Sequence, residues 1–431
     1  MKSKRCLGRR SLLGLAAGLG SLSLADCLFL GKDTRGAEPD RAQSAILVWL
    51  SGGPSHLETF DPKPEAPDGV GGPLGAIATA VPGISFSATL PHLSVQADRL
   101  SVIRTLHHLQ GAHEPGQAYM ISGHRFRPGH NFPSVGAVVG HQRRGLSSRN
   151  GLPTYVALPD ESVRGGGHLG AAWNPLSIPE DPSRPDFRVT DLFPPESIDA
   201  SRVARRRALA RLVRSRFSAQ RPSPAADAVA RYTQQAWDIV NSPRARAAFD
   251  LGLESDRTRD RYGRAVMGQR LLLARRLVEA QVPFVTVSAY EWDDHRNLVS
   301  RLGEKLPDVD RGLSALIEDL ALRGLLETTL VLVTGEFGRT PKFNENAGRD
   351  HWSSAFSVLL AGGGIRGGIS YGETDPLGFA AVENRVSVPD WHATILHQLG
   401  IHHDELFYER NGLKERLTGV RPARVVRDIL A

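Results

Sequence analysis

The stretch TLVLVTGEFGRTPK, residues 329–342, decides the fold. Its first six residues are apolar or β-branched, a pattern typical of a strand buried on both faces of a parallel sheet. The run ends at Gly335, and Glu336 and Arg339 follow at once. Ligands of open α/β sheets bind beside the carboxyl ends of the strands. The stretch therefore predicts a central strand and a polar site next to its end.

Similar apolar runs recur along the chain and are separated by helical patterns. The runs cover residues 45–50, 100–104, 153–158, 283–288 and 355–360. Apolar residues at helical spacing occupy residues 261–279, 310–323 and 391–399. Alternation of strands and helices predicts an α/β fold, with a central, mostly parallel sheet and helices on both faces. We expect residues 38–431 to form a single domain of this kind.

One segment differs in composition from the rest. Residues 201–222 contain many arginines and no acidic residue, and their apolar residues recur at roughly helical spacing. This pattern predicts an Arg-rich surface helix inside an insertion at about residues 195–280. Its basic face is either simply solvated or a surface for an anionic ligand, a partner or a membrane.

The first 37 residues have the pattern of an export signal. Arg9 and Arg10 precede an apolar run over residues 12–25, which is too short for a membrane span of about 20 residues. The twin arginine resembles a Tat-type signal, and a Sec signal or an amphipathic helix are the alternatives. The expected location is periplasmic or extracellular, with no stable membrane span.

Charge and cysteine content exclude several classes of function. The 431 residues carry a net charge of +7, but residues 1–37 hold seven basic and two acidic residues, so about +2 remains for the rest. A nucleic-acid partner is therefore not expected. Cys6 and Cys27 are the only cysteines in the sequence. Without the signal, the protein has no disulfide, thiolate metal site or cysteine nucleophile.

Histidines and carboxylates follow the predicted strands where a parallel sheet would bring them together. Such ligands suit a Lewis-acid metal site, with Zn²⁺ favoured and Mn²⁺ or Ca²⁺ also compatible. Asp293 and His295 are alternate residues and point the same way in extended backbone. The candidate metal ligands are His56, Asp293, His295, Glu336, His351 and His392. The alternatives are a hydrogen-bonded loop for Asp293 and His295, and an Arg339-paired or helix-entry carboxylate for Glu336.

Several motifs resemble those of a known family. They are VWLSGGPSHLETFDPKP (48–64), WDDHRN (292–297), GEFGRTP (335–341), GRDHW (348–352) and PDWHATILHQLGI (389–401). They closely resemble an exported bacterial family described as domain of unknown function 1501, from about residue 45 to the end of the chain. That family is similar to the alkaline phosphatase/sulfatase superfamily. The resemblance implies an alkaline-phosphatase-like sheet with a two-metal site for phosphate or sulfate esters. In a hydrolase of this kind, we expect Arg339, Arg349 or Arg125 to clamp the anion of the substrate, with Arg339 and Arg349 as the catalytic candidates.

The chain departs from the superfamily pattern at the nucleophile. His113 stands where sulfatases carry Cys or Ser, and Gln117 replaces their Arg. Phe337 stands where a metal-binding His is expected, and no carboxylate occurs at Ser51 or Gly52. The departures at Phe337 and at Ser51 or Gly52 argue against a standard two-zinc site. The changed nucleophile position and the absence of a cysteine after the signal argue against a formylglycine sulfatase. His113 is the candidate catalytic residue, as a metal ligand, phosphoryl acceptor or general acid, or else it is structural.

Two functions remain open from the sequence. The first is an exported metal-dependent hydrolase or transferase acting on phosphate or sulfate esters of a small molecule or polysaccharide. The second is a catalytically inactive relative that binds a glycan, an anionic polymer or a partner protein.

Overall fold

The segment Ser44–Leu50 lies in the middle of a nine-stranded sheet, and all seven of its residues are buried. It pairs in parallel with Phe284–Ala289 on one side and with Thr329–Thr334 on the other. Its side chains alternate between two cores: Ile46 and Val48 belong to one, Leu47 and Trp49 to the other. Apolar side chains cover both faces of the strand, which explains its unbroken apolar sequence.

The structure is a computed structural model. It describes residues 42–145, 151–159, 165–190, 242–410, 412–419 and 422–431, together with separate positions between 201 and 240. In chain order, the strands are β1 Ser44–Leu50, β2 Ala76–Ala78, β3 Ser85–Ser87, β4 Leu100–His107, β5 Tyr155–Leu158, β6 Leu176–Ser177, β7 Phe284–Ala289, β8 Thr329–Thr334, β9 Gly338–Arg339, β10 His351–Trp352, β11 Phe356–Ala361, β12 Ile369–Tyr371, β13 Glu373–Thr374, β14 Ala381–Glu383, β15 Val386–Ser387, β16 Phe407–Arg410 and β17 Leu413–Arg416.

The helices cover both faces of this sheet. They are α1 Pro91–Val95, α2 His113–Ser122, α3 Val135–Gln142, α4 Pro243–Phe249, α5 Asp256–Tyr262, α6 Val266–Glu279, α7 Leu298–Leu322 and α8 Val388–Gln398. Short 3-10 turns lie at Ala97–Arg99, Gly167–Leu169, Ala171–Trp173, Leu251–Leu253, Leu326–Thr328 and Arg427–Ile429. Buried residues of α6 and α7 belong to the first core, and those of α2, α3 and α8 belong to the second.

The strand directions place the carboxyl ends of several strands at the same edge of the sheet. The order is β12–β4–β11–β8–β1–β7–β5–β6, with β15 also paired to β4. Strand β11 is antiparallel to both neighbours, and the other pairings in this sheet are parallel. The carboxyl ends of β1, β4, β7 and β8 therefore lie at the same edge. The predicted α/β fold with a mostly parallel sheet and helices on both faces is confirmed.

Two predicted helices differ from the observed ones in extent. The pattern over residues 261–279 is divided between α5 and α6, because the chain turns at Gly263 with a φ of +87°. Helix α7 begins at Leu298, well before the predicted start at residue 310, because Leu302 and Leu306 continue its buried stripe toward the N-terminus.

Other sequence predictions fall largely outside the described residues. The predicted signal at residues 1–37 lies entirely outside them. In the Arg-rich segment, the described positions between 201 and 212 are helical, and Leu209 and Leu212 are exposed.

Residues Arg41–Ala431 form one unit by their contacts. Among the described helices, none combines the length and the apolar character that crossing a membrane requires.

Candidate functional site

Loops from four parts of the sheet meet at its carboxyl edge. The loop after β7 carries Asp293 and His295, and the residue after Gly335 at the end of β8 is Glu336. The β9–β10 pair places His351 opposite Arg339. Helix α2, which follows β4, begins at His113. The structure therefore brings these polar loops together at one edge of the sheet, as the sequence predicts.

Asp293 lies at the centre of three histidine side chains. Its Oδ1 is 3.0 Å from His295 Nε2 and 3.1 Å from His351 Nε2, and its Oδ2 is 3.3 Å from His113 Nε2. We call these four residues the Asp293 cluster. Donor atoms around a tetrahedral zinc ion lie about 3.3 Å apart, given bonds of about 2.0 Å. Within the described part of the chain, His113, Asp293 and His351 form a group whose donor atoms all lie within 4.8 Å of one another.

Each histidine of the cluster is oriented through its other ring nitrogen. His113 Nδ1 is 2.7 Å from Glu336 Oε1, His295 Nδ1 is 2.8 Å from Asp350 Oδ1, and His351 Nδ1 is 2.9 Å from the Gly111 carbonyl. Acceptors at Nδ1 favour the tautomer that leaves the Nε2 lone pair free to bind a metal. His113 Nε2 is buried and makes no hydrogen bond to the described residues. This donor set fits a transition-metal ion.

Arg339 holds the carboxylate of Asp293 in place. Its guanidinium group is almost fully buried and donates to Asp293 Oδ1. Burial acts to raise the pKa of Asp293, but the hydrogen bond and charge of Arg339, together with His351 and His113, outweigh burial, and the pKa is lowered. Arg339 also donates to the carbonyls of Gly52, Gly53, Trp292 and Arg349. Its donors are thus engaged, so the predicted role of Arg339 as an anion clamp has no support in this geometry.

The other predicted anion clamp, Arg349, lies in a buried ion pair. Its Nη2 is 2.7 Å from Glu58 Oε1, and both side chains are fully buried. The remaining donors contact backbone carbonyls of residues 70, 71, 340 and 341. Arg349 ties the loop before His351 to the loop after β1. It therefore supports the site structurally and is not placed to meet a ligand.

Glu336 acts on His113 and not as a fourth member of the metal group. Its two carboxylate oxygens accept from the Gly52 N–H at 2.9 and 3.0 Å, and Oε1 also contacts His113. The hydrogen bond to Glu336 is the main reason that the pKa of His113 is raised. Gly52 has a φ of +117°, and a Cβ there would lie 2.5 Å from the Asp293 backbone nitrogen. Only glycine fits this approach.

The structure places two predicted ligands, His56 and His392, outside the Asp293 cluster. His56 Nε2 lies 3.0 Å from the Gly378 carbonyl, and His392 Nε2 lies 3.0 Å from the Met120 carbonyl. Both rings are buried, and burial lowers the pKa of each to about 4. Each ring is engaged by a backbone carbonyl in the interior, so neither histidine contributes to the Asp293 cluster.

We expect His392 to make stability depend on acid pH. The unfolded side chain titrates near pH 6.5, whereas burial lowers the folded pKa to about 4. The unfolded state therefore binds the proton preferentially, so stability is complete above pH 6.5 and falls as the pH drops toward 4. The loss from this residue reaches about 3 kcal/mol. Urea unfolding across this range should show a shallower decline for His392→Gln, whose amide can still donate to Met120. If the unfolding free energy of His392→Gln declined with falling pH as steeply as that of wild type, the lowered pKa of His392 would be contradicted.

Some groups at the site have no counterpart in the sequence-based prediction. The Gly111 carbonyl orients His351, and Asn344 donates to Asp350 and to the His295 carbonyl. His108 Nε2 is 2.7 Å from the Glu336 carbonyl. Backbone carbonyls and loop amides carry no sequence pattern. Asp350 is different, because its position beside His351 in the GRDHW motif marks it in the sequence as a candidate site residue.

A sequence model of one family matches residues 42–430, and the description of that family is protein of unknown function (DUF1501). The chain belongs to this family. The match confirms the resemblance carried by the GEFGRTP and GRDHW motifs. No curated protein matches the chain in sequence.

Solved structures similar to this family member include three hydrolases. A phosphonate monoester hydrolase from Silicibacter pomeroyi has 11% identity and a TM-score of 0.37, covering 90% of this chain and 76% of the other. A sulfatase from Pseudoalteromonas sp. has 12% identity and a TM-score of 0.38, covering 85% and 69%. The alkaline phosphatase from the Antarctic bacterium TAB5 has 11% identity and a TM-score of 0.37, covering 83% and 97%. Scores at this level leave the function to be inferred from the side chains of the Asp293 cluster.

Proposed function

We propose that this protein is a metal-dependent hydrolase of phosphate or sulfate esters. The observation that carries the proposal is the convergence of three imidazole Nε2 atoms on the Asp293 carboxylate. The four side chains are each partly exposed, so a solvent-borne substrate can reach them.

The donor set indicates which ion fits. His113, Asp293 and His351 would hold it, with His295 adjacent. Imidazole nitrogen with one carboxylate suits Zn²⁺, and Mn²⁺ is also compatible. Ca²⁺ prefers six to eight oxygen ligands, which this nitrogen-rich cluster does not offer. A divalent ion of this kind supplies an acidic bound water and polarises an ester oxygen.

The residues of the chain divide the remaining work. Arg339 keeps Asp293 ionised and fixed in orientation. Glu336 holds the proton of His113 at Nδ1, which keeps Nε2 directed at the cluster. Because Asp293 is the single carboxylate in the metal group, a divalent ion bound there retains positive charge, which attracts an anionic ester.

His113 is more consistent with a ligand than with a phosphoryl acceptor. Its Nδ1 is held by Glu336 at 2.7 Å, its Nε2 lies 3.3 Å from Asp293 Oδ2, and its ring packs beside Phe337 at 5.2 Å and His351 at 4.3 Å. The ring is therefore oriented as a metal ligand, with Nε2 facing the Asp293 carboxylate. The second candidate is an inactive relative that binds a ligand, and it is supported by the sequence resemblance, which sets His113 where sulfatases carry Cys or Ser.

Turnover of simple esters tests this proposal. Protein stripped of metal is loaded with Zn²⁺, Mn²⁺ or Ca²⁺ and assayed with p-nitrophenyl phosphate, bis-p-nitrophenyl phosphate and p-nitrophenyl sulfate. We expect turnover that depends on Zn²⁺ or Mn²⁺ and is lost in His351→Ala but kept in His130→Ala, a matched histidine change outside the cluster. Metal binding without turnover of any ester would favour the inactive relative. Turnover that survives His351→Ala would point to a contaminating enzyme.

We also propose that the protein acts outside the cytoplasm. The support is the twin arginine at positions 9 and 10 followed by a short apolar run. Expression of the full chain in a host with and without Tat transport, followed by fractionation, tests this location. Cytoplasmic protein in both hosts would contradict it.

A further inference from the structure

We propose that Asp350 and Asn344 are positioning residues that fix the ring of His295 so that its Nε2 faces the metal group. The inference rests on the proposed metal site. It adds His295 to that site as a ligand whose orientation is fixed by residues outside the metal group. It assigns a role to the loop 344–350.

The contact between Asp350 and His295 defines the tautomer of the ring. Asp350 Oδ1 lies 2.8 Å from His295 Nδ1 and accepts from Asn344 Nδ2 at 3.1 Å. Because a carboxylate oxygen accepts hydrogen bonds, this contact places the proton of His295 on Nδ1. His295 Nε2 then faces the cluster, 3.0 Å from both Asp293 Oδ1 and His351 Nε2.

Asn344 fixes Asp350 and the backbone of His295 at the same time. Its Nδ2 donates to Asp350 Oδ1 and to the His295 carbonyl, both at 3.1 Å. Its Oδ1 accepts from the backbone N–H groups of Asn346 and Gly348, both at 3.0 Å. Because these N–H groups can only donate, the amide orientation is determined. Every polar atom of the Asn344 side chain is used in holding this arrangement.

The backbone brings the two loops into direct contact. Arg296 pairs with Ala347 in an isolated bridge, and the Leu298 N–H donates to the Ala347 carbonyl at 3.0 Å. A Cβ at Gly348 would lie 2.0 Å from the His295 carbonyl carbon. Ala347 and Asn297 both have positive φ. Strain of this kind is kept where the surrounding structure requires one geometry. The loop 344–350 therefore sets the position of His295.

The expected effect is on metal affinity and coordination, not on folding. The Asp350 side chain is more than half exposed, so its replacement removes little buried contact. Loss of a group that orients a metal-binding histidine lowers metal affinity by about 10- to 100-fold. Asn at position 350 keeps an acceptor for His295 Nδ1, whereas Leu removes it.

Titration of the metal-free full chain with Co²⁺ tests the proposal through affinity and the visible absorption of the bound ion. We expect Asp350→Leu to lower Co²⁺ affinity by about 10- to 100-fold and to change the spectrum. Asp350→Asn should recover most of both, and Asp308→Asn, an exposed change on α7, should match the wild type. Wild-type affinity and spectrum in Asp350→Leu would overturn the proposal.

A second measurement separates this inference from the proposed function. Ring ¹⁵N spectra of histidine-labelled, metal-free protein are recorded at about pH 8, where a free histidine is neutral. We expect His295 to carry its proton on Nδ1 in the wild type and to lose this preference in Asp350→Leu. If wild type binds no Co²⁺, the metal site fails, and these spectra still decide the positioning role. An unchanged tautomer in Asp350→Leu would overturn it.

Discussion

Replacing Asp293 by alanine is expected to lower zinc affinity and ester turnover by more than about 100-fold, because even indirect partners of metal ligands contribute 10- to 100-fold. Asp293 contacts all three histidines of the cluster and is the anionic member of the metal group. Without it, the Nε2 atoms of His113 and His351 have no carboxylate between them. Zinc content after dialysis and kcat/KM for an aryl ester are the measurements.

Two controls separate this effect from a loss of folding. Asp308→Ala makes the same change at an exposed position of α7 and should leave both quantities unaltered. Asp293→Ala should melt at a lower temperature than wild type, because the buried Arg339 loses its carboxylate partner, but it should remain folded, because Arg339 retains the carbonyls of Gly52 and Gly53. Wild-type zinc content in well-folded Asp293→Ala would contradict the assignment of Asp293 as a ligand.

Replacing Arg349 by methionine is expected to lower the free energy of unfolding by about 3–5 kcal/mol. The change leaves the Glu58 carboxylate buried without its cation, and Glu58 Oε2 already makes no hydrogen bond to the described residues. It also frees backbone carbonyls of residues 70, 71, 340 and 341 from their donors. Urea unfolding at neutral pH measures the loss.

Companion variants identify the cause of this loss. The double change Glu58→Leu with Arg349→Met should recover part of it, since the unpaired charge is removed. Arg184→Met breaks an exposed pair with Asp186 and should cost less than about 1 kcal/mol. If Arg349→Met lost no more stability than Arg184→Met, the buried pair would contribute little to the free energy of unfolding.

The fold was predictable because its central strands are buried on both faces. The runs at β1 and β8 are apolar without interruption, and the carboxyl-edge rule then placed Asp293, His295, Glu336 and His351 in one region. His56 and His392 follow the same kind of loop or helix entry, yet their rings turn inward to backbone carbonyls. The direction of a loop side chain depends on tertiary contacts that spacing does not encode.

The environment of the two arginines was likewise not predictable from the sequence. Arg339 and Arg349 lie in motifs beside the site, where an anion clamp is a natural expectation. The backbone carbonyls that saturate their guanidinium groups come from turns after β1 and before β10. No residue type in the sequence marks those carbonyls, so burial of both cations could not be read from composition or spacing.

The most direct test of the metal site is crystallographic. Crystals of the zinc-loaded protein are measured on both sides of the zinc absorption edge, and the anomalous difference map locates the ion. The structure predicts a peak bonded to His113 Nε2, Asp293 and His351 Nε2 at about 2.0–2.2 Å. A cluster without a peak, or zinc bound only at other residues, would contradict the account.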